Sequence, residues 1–131
     1  MNKIQGCVII LFNSEKKILL VLRDDKDSIP FPNTWNLLGG ILENGESPEE
    51  CIRREIKEEI EIELGNIKFF QKYNVYEREH YIFWKKIDLE LTQIKLNEGQ
   101  RLAYFSKDEL DKYQLAFQCN DILNDFFSQV L

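Results

Sequence analysis

The chain has 131 residues, of which 44% are hydrophobic and 31% are charged, and its formal net charge at pH 7 is −6. This apolar content is too high for a disordered chain and sufficient for one core, so we predict a single domain over residues 1–131. The acidic balance argues against binding to a nucleic acid duplex, and no apolar run approaches the roughly 20 residues that a membrane helix needs.

The first 40 residues predict a hairpin followed by a long loop. Residues 4–12 and 17–23 are apolar runs typical of buried strands, and a polar turn at residues 13–16 joins them. Residues 24–36 contain two prolines and show no periodicity, and a loop of this length is often functional. A short apolar run over residues 37–40 then ends at a pair of glycines.

A helix is predicted from residue 48 to about residue 62. Ser47 and Glu50 form the Ser-x-x-Glu pattern of a capping box, and Pro48 suits the first helical position. Gly65 is available to end the helix. These signals make this helix the best-defined element in the sequence.

The second half of the chain predicts further strands and a closing helix. Residues 67–78 and 80–91 are rich in aromatic and β-branched residues, which favours two long strands, and residues 101–106 predict another. A short helical turn should begin at Ser106, and residues 116–130 are typical of an amphipathic helix. The order of elements indicates an α/β fold with a mixed sheet covered by helices.

The N-terminus and the cysteines both indicate a reducing compartment. The first apolar stretch is short and no small-residue cleavage site follows it, so it lacks the form of a secretory signal. Cys7, Cys51 and Cys119 are odd in number and have no metal-like spacing. We therefore expect a cytoplasmic protein in which all three cysteines are reduced, buried thiols.

The negative charge is concentrated in the predicted helix and the segment before it. Residues 40–62 hold eight acids and three bases, a net charge of −5. At about 100° per residue, Glu55, Glu58 and Glu59 share one arc of the helix. The neighbouring arc, which should face the core, carries three isoleucines: Ile52, Ile56 and Ile60.

Two interpretations of this glutamate arc remain open from the residues alone. It could be an ordinary solvated surface, although each like-charged pair at this spacing costs roughly 0.2–0.5 kcal/mol. It could instead be a site for a divalent cation, since Mg²⁺ prefers carboxylate oxygens and keeps water or phosphates as further ligands. A bound cation would remove the repulsion and would mediate contact with phosphates.

The residues around the arc follow a longer pattern. From Gly40 the chain reads Gly, five residues, Glu46, seven residues, and then Arg54-Glu55-Ile56-x-Glu58-Glu59-x-x-Ile62. This spacing resembles the Nudix box, G-x5-E-x7-R-E-U-x-E-E-x-G-U with U apolar, and eight of its nine specified positions match. The match is closest in appearance to the small MutT-like nucleoside triphosphate pyrophosphohydrolases.

Glu61 is the one departure, because the family usually has Gly at this position. A glycine there lets the chain leave the helix in a left-handed conformation. A glutamate in that conformation would cost roughly 1 kcal/mol. Alternatively, the helix continues towards Gly65.

The resemblance implies a Nudix-type α/β/α sandwich and a Mg²⁺-dependent site, with Mn²⁺ as an alternative metal. The implied catalytic residues are Glu55, Glu58, Arg54 and Glu46, where Arg54 pairs with Glu46 or a neighbouring glutamate. The implied metal ligands are the carbonyl of Gly39 and the carboxylates of Glu55, Glu58, Glu59 and Glu98. Glu98 is a candidate from the similarity of residues 96–110 to the equivalent segment of MutT-like proteins, and it could also be an ordinary loop residue.

The resemblance also implies a nucleotide substrate. ADP-ribose-directed members often carry a proline where this chain has Glu77, so we expect hydrolysis of a nucleoside triphosphate, normal or oxidised, to a monophosphate and pyrophosphate. The alternatives are hydrolysis of ADP-ribose or another nucleotide derivative, and a non-catalytic nucleotide-sensing domain. The chain is expected to be a monomer or a homodimer.

Arg23, Asn120 and Trp35 are the predicted substrate-binding residues. Arg23 ends the second strand and Asn120 offers an amide that suits a purine edge, although a strand end and a helix surface are alternative places for them. Trp35 could stack a base, as could two further aromatic residues, Phe31 and Tyr73. Aromatic side chains are more often core residues.

His80, the only histidine, begins the predicted strand 80–91. It is expected to be a hydrogen-bonded structural residue, with a supporting role in the site as the alternative.

Overall fold

The computed structural model describes residues 3–75 and 77–131. Within them are seven strands: β1 Ile4–Phe12, β2 Ile18–Leu22, β3 Trp35–Asn36, β4 Leu38–Ile41, β5 Lys68–Val75, β6 Arg78–Lys86 and β7 Arg101–Phe105. Three α-helices accompany them: α1 Pro48–Ile60, α2 Lys107–Leu110 and α3 Cys119–Gln129. Short 3₁₀ turns lie at Leu91–Gln93 and Ala116–Gln118.

The sheet is mixed and is organised around β1. Its main path runs in the order β3-β2-β1-β6-β5, with β4 paired to β1 and β7 paired to β2. The β1–β6 pair is parallel, from Ile4 opposite Arg78 to Phe12 opposite Lys86, and the other pairs are antiparallel. The predicted mixed sheet is confirmed.

Each face of the sheet buries its own core, which follows from the alternation of side chains along a strand. Val8, Ile10 and Phe12 of β1 face α3. The intervening residues Cys7, Ile9 and Leu11 face α1. The chain therefore forms the predicted α/β/α sandwich.

Some predicted boundaries differ from the observed ones. The strand predicted over residues 80–91 ends at Lys86, where the backbone N–H of Ile87 donates to the carbonyl of Phe12 at 2.8 Å. The loop predicted over residues 24–36 contains β3, which is only two residues long and carries no periodic signal. The strand predicted over residues 67–78 includes residue 76, which lies outside the described residues.

The prediction of three reduced cysteines is wrong for one pair. Cys7 of β1 and Cys51 of α1 form a disulfide, while Cys119 is a buried free thiol. Because α1 packs directly on β1, the two Cα atoms lie 6.3 Å apart, within the range that a disulfide spans. The 44-residue separation of the pair hides this proximity in the sequence.

In the described part of the chain, no helix has the length and apolar character needed to cross a membrane.

Candidate active site

The start of α1 is fixed by its capping box. The backbone N–H of Glu50 donates to Ser47 Oγ at 3.1 Å, and the N–H of Ser47 donates to Glu50 Oε1 at 2.9 Å. Pro48 occupies the first helical position, as predicted. This start sets the helical register that buries Ile52, Ile56 and Ile60 and brings the glutamate arc to the edge of the buried face.

The end of α1 depends on Glu61. The helix ends at Ile60, and Glu61 adopts the left-handed conformation with φ 57° and ψ 41°. Its N–H donates to the carbonyl of Lys57 at 3.0 Å. Of the two alternatives, the strained glutamate is the one observed, and the predicted extension of the helix to residue 62 is wrong.

Asn97 joins the end of α1 to the loop that carries Glu98. Its backbone N–H donates to the Glu59 carbonyl at 2.8 Å. Its Nδ2 donates to the Glu58 carbonyl at 2.9 Å and to Glu61 Oε2 at 2.9 Å. These bonds satisfy carbonyls that a helix end leaves free and give the Glu61 side chain a partner that offsets its strain. The sequence analysis missed Asn97, whose only signal was its place beside Glu98.

The loop that follows Asn97 is also tied to the end of β2. The backbone N–H of Gln100 donates to the Leu22 carbonyl at 2.8 Å, and Gln100 Nε2 donates to the Arg23 carbonyl at 2.8 Å. Glu98 is therefore held between α1 and β2. Arg23 comes to lie near Glu98, as their electrostatic interaction shows.

Arg54 organises the carboxylates of the site. Its guanidinium donates to both oxygens of Glu46, at 2.7 and 2.9 Å, to Glu55 Oε1 at 2.9 Å and to Glu58 Oε2 at 3.3 Å. It also donates to the Ile41 carbonyl at 3.1 Å. The hydrogen bonds from Arg54, together with one from the Glu43 backbone N–H, lower the pKa of Glu46 to about 2. Arg54 therefore holds the box glutamates at one end of the cluster.

The glycine pair before the box lets strand and helix approach each other closely. A Cβ at Gly40 would overlap the carboxylate of Glu55, and a Cβ at Gly39 would overlap the backbone carbonyl of Cys7. Any larger residue at either position would displace its neighbour. The pair therefore allows the Glu55 carboxylate to lie directly against β4.

Glu59 is the buried member of the cluster, with 7% of its surface exposed. Burial, a hydrogen bond with Glu55 and the charges of Glu55, Glu98 and Glu58 together raise its pKa to about 9. Without a cation, the folded chain therefore holds a proton on this carboxyl at neutral pH. Buried carboxylates of this kind are normally paired or bound to a metal.

The carboxylates open into a cleft made of two adjoining cavities of about 520 and 550 Å³. The cavities share six lining residues: Arg23, Asn36, Leu37, Gly39, Glu59 and Glu98. Glu55 and Glu58 line the second cavity. The cleft therefore brings together every predicted metal ligand.

The oxygen donors fit a hard divalent cation, although their side chains are not arranged as a finished metal site. Among residues 3–75 and 77–131, no three His, Cys, Asp or Glu side chains already form a metal-binding group. Glu55 and Glu58 are turned towards Arg54, and Glu59 is hydrogen-bonded to Glu55. These carboxylates would have to exchange their present hydrogen-bond partners for the cation in order to serve as its ligands.

Another part of the cleft lining is aromatic and basic. The Phe117 ring lies 5.3 Å from the guanidinium carbon of Arg23 and 5.1 Å from that of Arg78. Phe117 has a left-handed backbone, with φ 51°, and its ring centroid is 4.8 Å from that of Phe31. Arg78 and Phe117 were not predicted as site residues, because the sequence does not show that the 3₁₀ turn at Ala116–Gln118 lies beside the start of β6.

Two predicted substrate residues lie away from the cleft. Both polar atoms of the Asn120 amide are used within the chain: Oδ1 accepts from the Leu115 N–H at 2.8 Å, and Nδ2 donates to the Tyr113 carbonyl at 2.9 Å. Trp35 is only 9% exposed and packs edge-on against Phe105, with the two ring centroids 4.8 Å apart. The helix-surface and core alternatives describe these residues better than substrate contact does.

Tyr73 is also a structural residue. It packs against the core on the α3 face, and its hydroxyl donates to Asp125 at 2.7 Å.

Relatives found by sequence comparison match this chain over different lengths. A putative 8-oxo-dGTP diphosphatase of Bacillus subtilis (strain 168) is 38% identical over 127 residues, which cover 93% of this chain and 78% of that protein. The NAD-capped RNA hydrolase NudC of Vibrio atlanticus (strain LGP32) is 34% identical over 68 residues, or 52% of this chain. The match covers 24% of NudC, so the chain spans about a quarter of the length of that relative.

Solved structures share the fold. A structure from a study of MutT from Aliivibrio salmonicida and Vibrio cholerae has a TM-score of 0.78 at 25% identity, covering 96% of this chain and 98% of that one. The NUDIX domain of Shewanella oneidensis NrtR, crystallised with ADP ribose, has a TM-score of 0.82 at 17% identity, covering 100% and 90%. At that identity the second likeness shows the fold alone.

The family model of the NUDIX domain matches residues 3–126 of this chain. The box spacing, the sandwich and the convergence of three box glutamates on one cleft agree with this match. The chain therefore belongs to the NUDIX domain family.

Proposed function

We propose that this chain hydrolyses a nucleoside triphosphate to a nucleoside monophosphate and pyrophosphate, as a MutT-like enzyme. The observation that carries the proposal is the buried Glu59 among like charges, on a cleft whose lining is in another part basic and aromatic. Carboxylates suit the cation that accompanies a polyphosphate, and the basic and aromatic part suits a nucleoside. The Bacillus subtilis relative, a putative 8-oxo-dGTP diphosphatase, supports this substrate class.

We assign Mg²⁺, or alternatively Mn²⁺, to the carboxylates of Glu55, Glu58, Glu59 and Glu98 and the carbonyl of Gly39. These are oxygen donors, as hard cations require. When bound, the cation supplies charge that offsets the polyphosphate and Lewis acidity that activates water. Cation binding requires Glu59 to lose its proton, since a ligating carboxylate must be ionised.

The chain's own groups would then position the water and accept its proton. Arg54 contacts Glu55 and Glu58 directly, and its pairing with Glu46 restrains the guanidinium. The proton released by the attacking water goes to a carboxylate of this cluster, with Glu55 and Glu58 as the candidates. Catalysis in such a site rests mainly on positioning and charge neutralisation.

The nucleoside would occupy the wall that carries Arg23, Arg78 and Phe117. An aromatic ring offers a stacking surface that is tolerant of base identity. Arg23 lies between this wall and Glu98, where its charge would contact the phosphates. We do not assign Asn120 and Trp35 to this site, because the Asn120 amide is hydrogen-bonded within the chain and Trp35 is buried.

A substrate panel with and without metal tests the proposal. The purified chain is assayed for pyrophosphate or phosphate release, and for substrate loss, with Mg²⁺ and with a chelator. The panel holds the dNTPs, 8-oxo-dGTP, ADP-ribose, NADH, nucleotide sugars and diadenosine polyphosphates. We expect Mg²⁺-dependent release of pyrophosphate from a nucleoside triphosphate.

Two outcomes contradict the proposal in different ways. Turnover of ADP-ribose or another derivative, without turnover of triphosphates, would replace the substrate class and keep the site. No turnover by a folded protein that still binds a nucleotide would indicate a sensing domain instead.

A further inference from the structure

His80 has a buried ring nitrogen without a hydrogen-bond partner. It lies on β6 with 7% of its surface exposed, and its Nε2 is buried with no partner among residues 3–75 and 77–131. Buried polar atoms are nearly always paired, so an unpaired one calls for an explanation. The predicted structural role, with a hydrogen bond inside the chain, therefore does not account for this nitrogen.

The imidazole adjoins open space in the cleft. His80 lies opposite Gly6 of β1, and both residues line the cleft. A Cβ built at Gly6 would be 3.8 Å from His80 Nε2, so the absence of a side chain there leaves room beside the nitrogen. The ring of Phe117 is 6.2 Å from the imidazole, measured between centroids.

The surroundings favour a planar neutral group over a phosphate. Val8, Phe117 and Cys119 are apolar and line the same cavity as His80, and the guanidinium groups of Arg23 and Arg78 lie over the Phe117 ring. Burial lowers the pKa of His80, and the charge of Arg78 lowers it further, so the imidazole is neutral at pH 7. A neutral imidazole offers a single hydrogen bond at Nε2, either as donor or as acceptor. Phosphates are better served by the arginines and the cation site.

We propose that His80 is a specificity-determining residue, whose Nε2 hydrogen-bonds the polar edge of a nucleobase held between Gly6 and Phe117. This inference rests on the proposed function, because it needs a nucleotide in the cleft. A site built to hydrogen-bond a ligand group discriminates against analogues that lack it, since its own polar atom is then left unpaired. His80 thereby takes the base-reading role that the sequence suggested for Asn120.

Two substitutions separate this role from simple packing. His80→Leu removes the hydrogen bond, and His80→Gln keeps a nitrogen or oxygen near the position of Nε2. For the preferred nucleoside triphosphate, we expect His80→Leu to lower kcat/KM roughly tenfold, mostly through KM, and His80→Gln to restore most of it. The base of purine riboside triphosphate has no exocyclic group. For this substrate, His80→Leu should lower kcat/KM less than it does for the preferred substrate.

A purely structural His80 gives a different result. His80→Leu would then lower kcat/KM equally for every triphosphate, and His80→Gln would rescue none of them selectively. Either finding would overturn the inference.

Nuclear magnetic resonance gives a readout that does not depend on turnover. The chain has one histidine, so its imidazole signals need no assignment. Without metal, dGMP and dAMP are titrated into the wild-type protein, with 2-deoxyribose 5-phosphate and pyrophosphate as controls. We expect at least one base-bearing nucleotide to shift the ¹⁵N signal of Nε2, and the controls to leave it unchanged.

The two experiments distinguish the failure of this inference from that of the proposed function. If the wild type hydrolyses triphosphates but the imidazole signal stays unmoved, only the inference is overturned. The same holds if 2-deoxyribose 5-phosphate moves the signal as much as the nucleotides do. If no triphosphate is hydrolysed and no nucleotide moves the signal, both are overturned.

Discussion

Arg54 explains how the chain tolerates its clustered glutamates without a cation. Its guanidinium contacts Glu46, Glu55 and Glu58, and so supplies positive charge where like-charged carboxylates would otherwise repel each other. Glu59 adds no negative charge, because its raised pKa keeps it protonated at neutral pH. The repulsion among the acids of α1 is therefore offset inside the protein, as well as by the proposed metal.

Glu58→Gln should abolish most turnover and leave the fold intact. The Glu58 side chain is 59% exposed, so the amide costs little stability, but the site loses a charged ligand. We expect a fall in kcat on the order of 100-fold or more. Steady-state kinetics and a melting curve measure the two effects.

Glu49→Gln is the matched control for this variant. Glu49 lies on the same helix and allows the same change from carboxylate to amide. Its side chain pairs with Arg53 on the solvent side. Its activity should equal that of the wild type. Mg²⁺-dependent rates in Glu58→Gln equal to those of the control would exclude Glu58 from the site.

Glu59 should make the metal-free protein less stable as the pH rises. Its pKa in the folded state, about 9, lies above the ordinary value of 4.5. The protonated carboxyl therefore makes its full contribution to the free energy of unfolding below about pH 4.5. This contribution is lost as the pH rises towards 9. In Glu59→Gln the side chain is neutral at every pH, so this loss is absent.

Melting temperatures without metal test this dependence. Between about pH 5 and about pH 9, the melting temperature of the wild type should fall by several degrees relative to that of Glu59→Gln. Glu49→Gln should follow the wild type, since its carboxylate is exposed. Mg²⁺ should also raise the melting temperature more at pH 8 than at pH 6, because it competes with the proton. Parallel curves for wild type and Glu59→Gln would contradict the assignment.

The end of α1 depends on the loop that Asn97 begins. Asn97→Ala removes the side-chain bonds to the Glu58 carbonyl and to Glu61, leaving the strained Glu61 without that partner. We expect a loss of about 1–2 kcal/mol in the free energy of unfolding and weaker stabilisation by Mg²⁺. Denaturant unfolding with and without Mg²⁺ measures both.

Asn124→Ala serves as the control, because Asn124 is exposed on α3. It should change neither quantity appreciably. If Asn97→Ala lowers stability but leaves the Mg²⁺ effect unchanged, then Asn97 supports the helix end without positioning Glu58 or Glu98.

The Cys7–Cys51 disulfide should fasten α1 to β1. Closing a loop across 44 residues stabilises the folded state by about 4 kcal/mol in the chain-entropy account. Thiol titration in denaturant should find one reactive thiol, that of Cys119, before reduction and three afterwards. Three thiols without any reductant would show that the pair is reduced in the purified protein.

The molecule as a whole shows which parts of the fold can be read from sequence. The start of α1 was predictable because the Ser47–Glu50 capping box is local. The hairpin of β1 and β2 was predictable from two apolar runs and a turn. The end of α1 was not predictable in the same way. The choice between Glu61 and Gly65 depends on hydrogen bonds to Asn97, which lies far along the chain.

The same limit applies to the cleft. Its carboxylate wall lies within one helix and a glycine pair, so fixed spacing could indicate it. Its aromatic wall joins Arg23, Arg78 and Phe117 from three separate elements, and no spacing relates them. Asn120 shows a related limit, because the sequence does not reveal that both polar atoms of its amide bond to nearby backbone atoms.

The central place of β1 sets the order in which the chain can become compact. Its residues from Gly6 to Phe12 are all buried in the fold, yet the parallel partner β6 reaches only from Arg78 to Lys86. During synthesis the edge of this apolar strand that pairs with β6 must therefore wait until Arg78–Lys86 has been made. Pairings between distant segments form slowly, and uncovered strands associate with one another. We therefore expect refolding yield to fall as protein concentration rises.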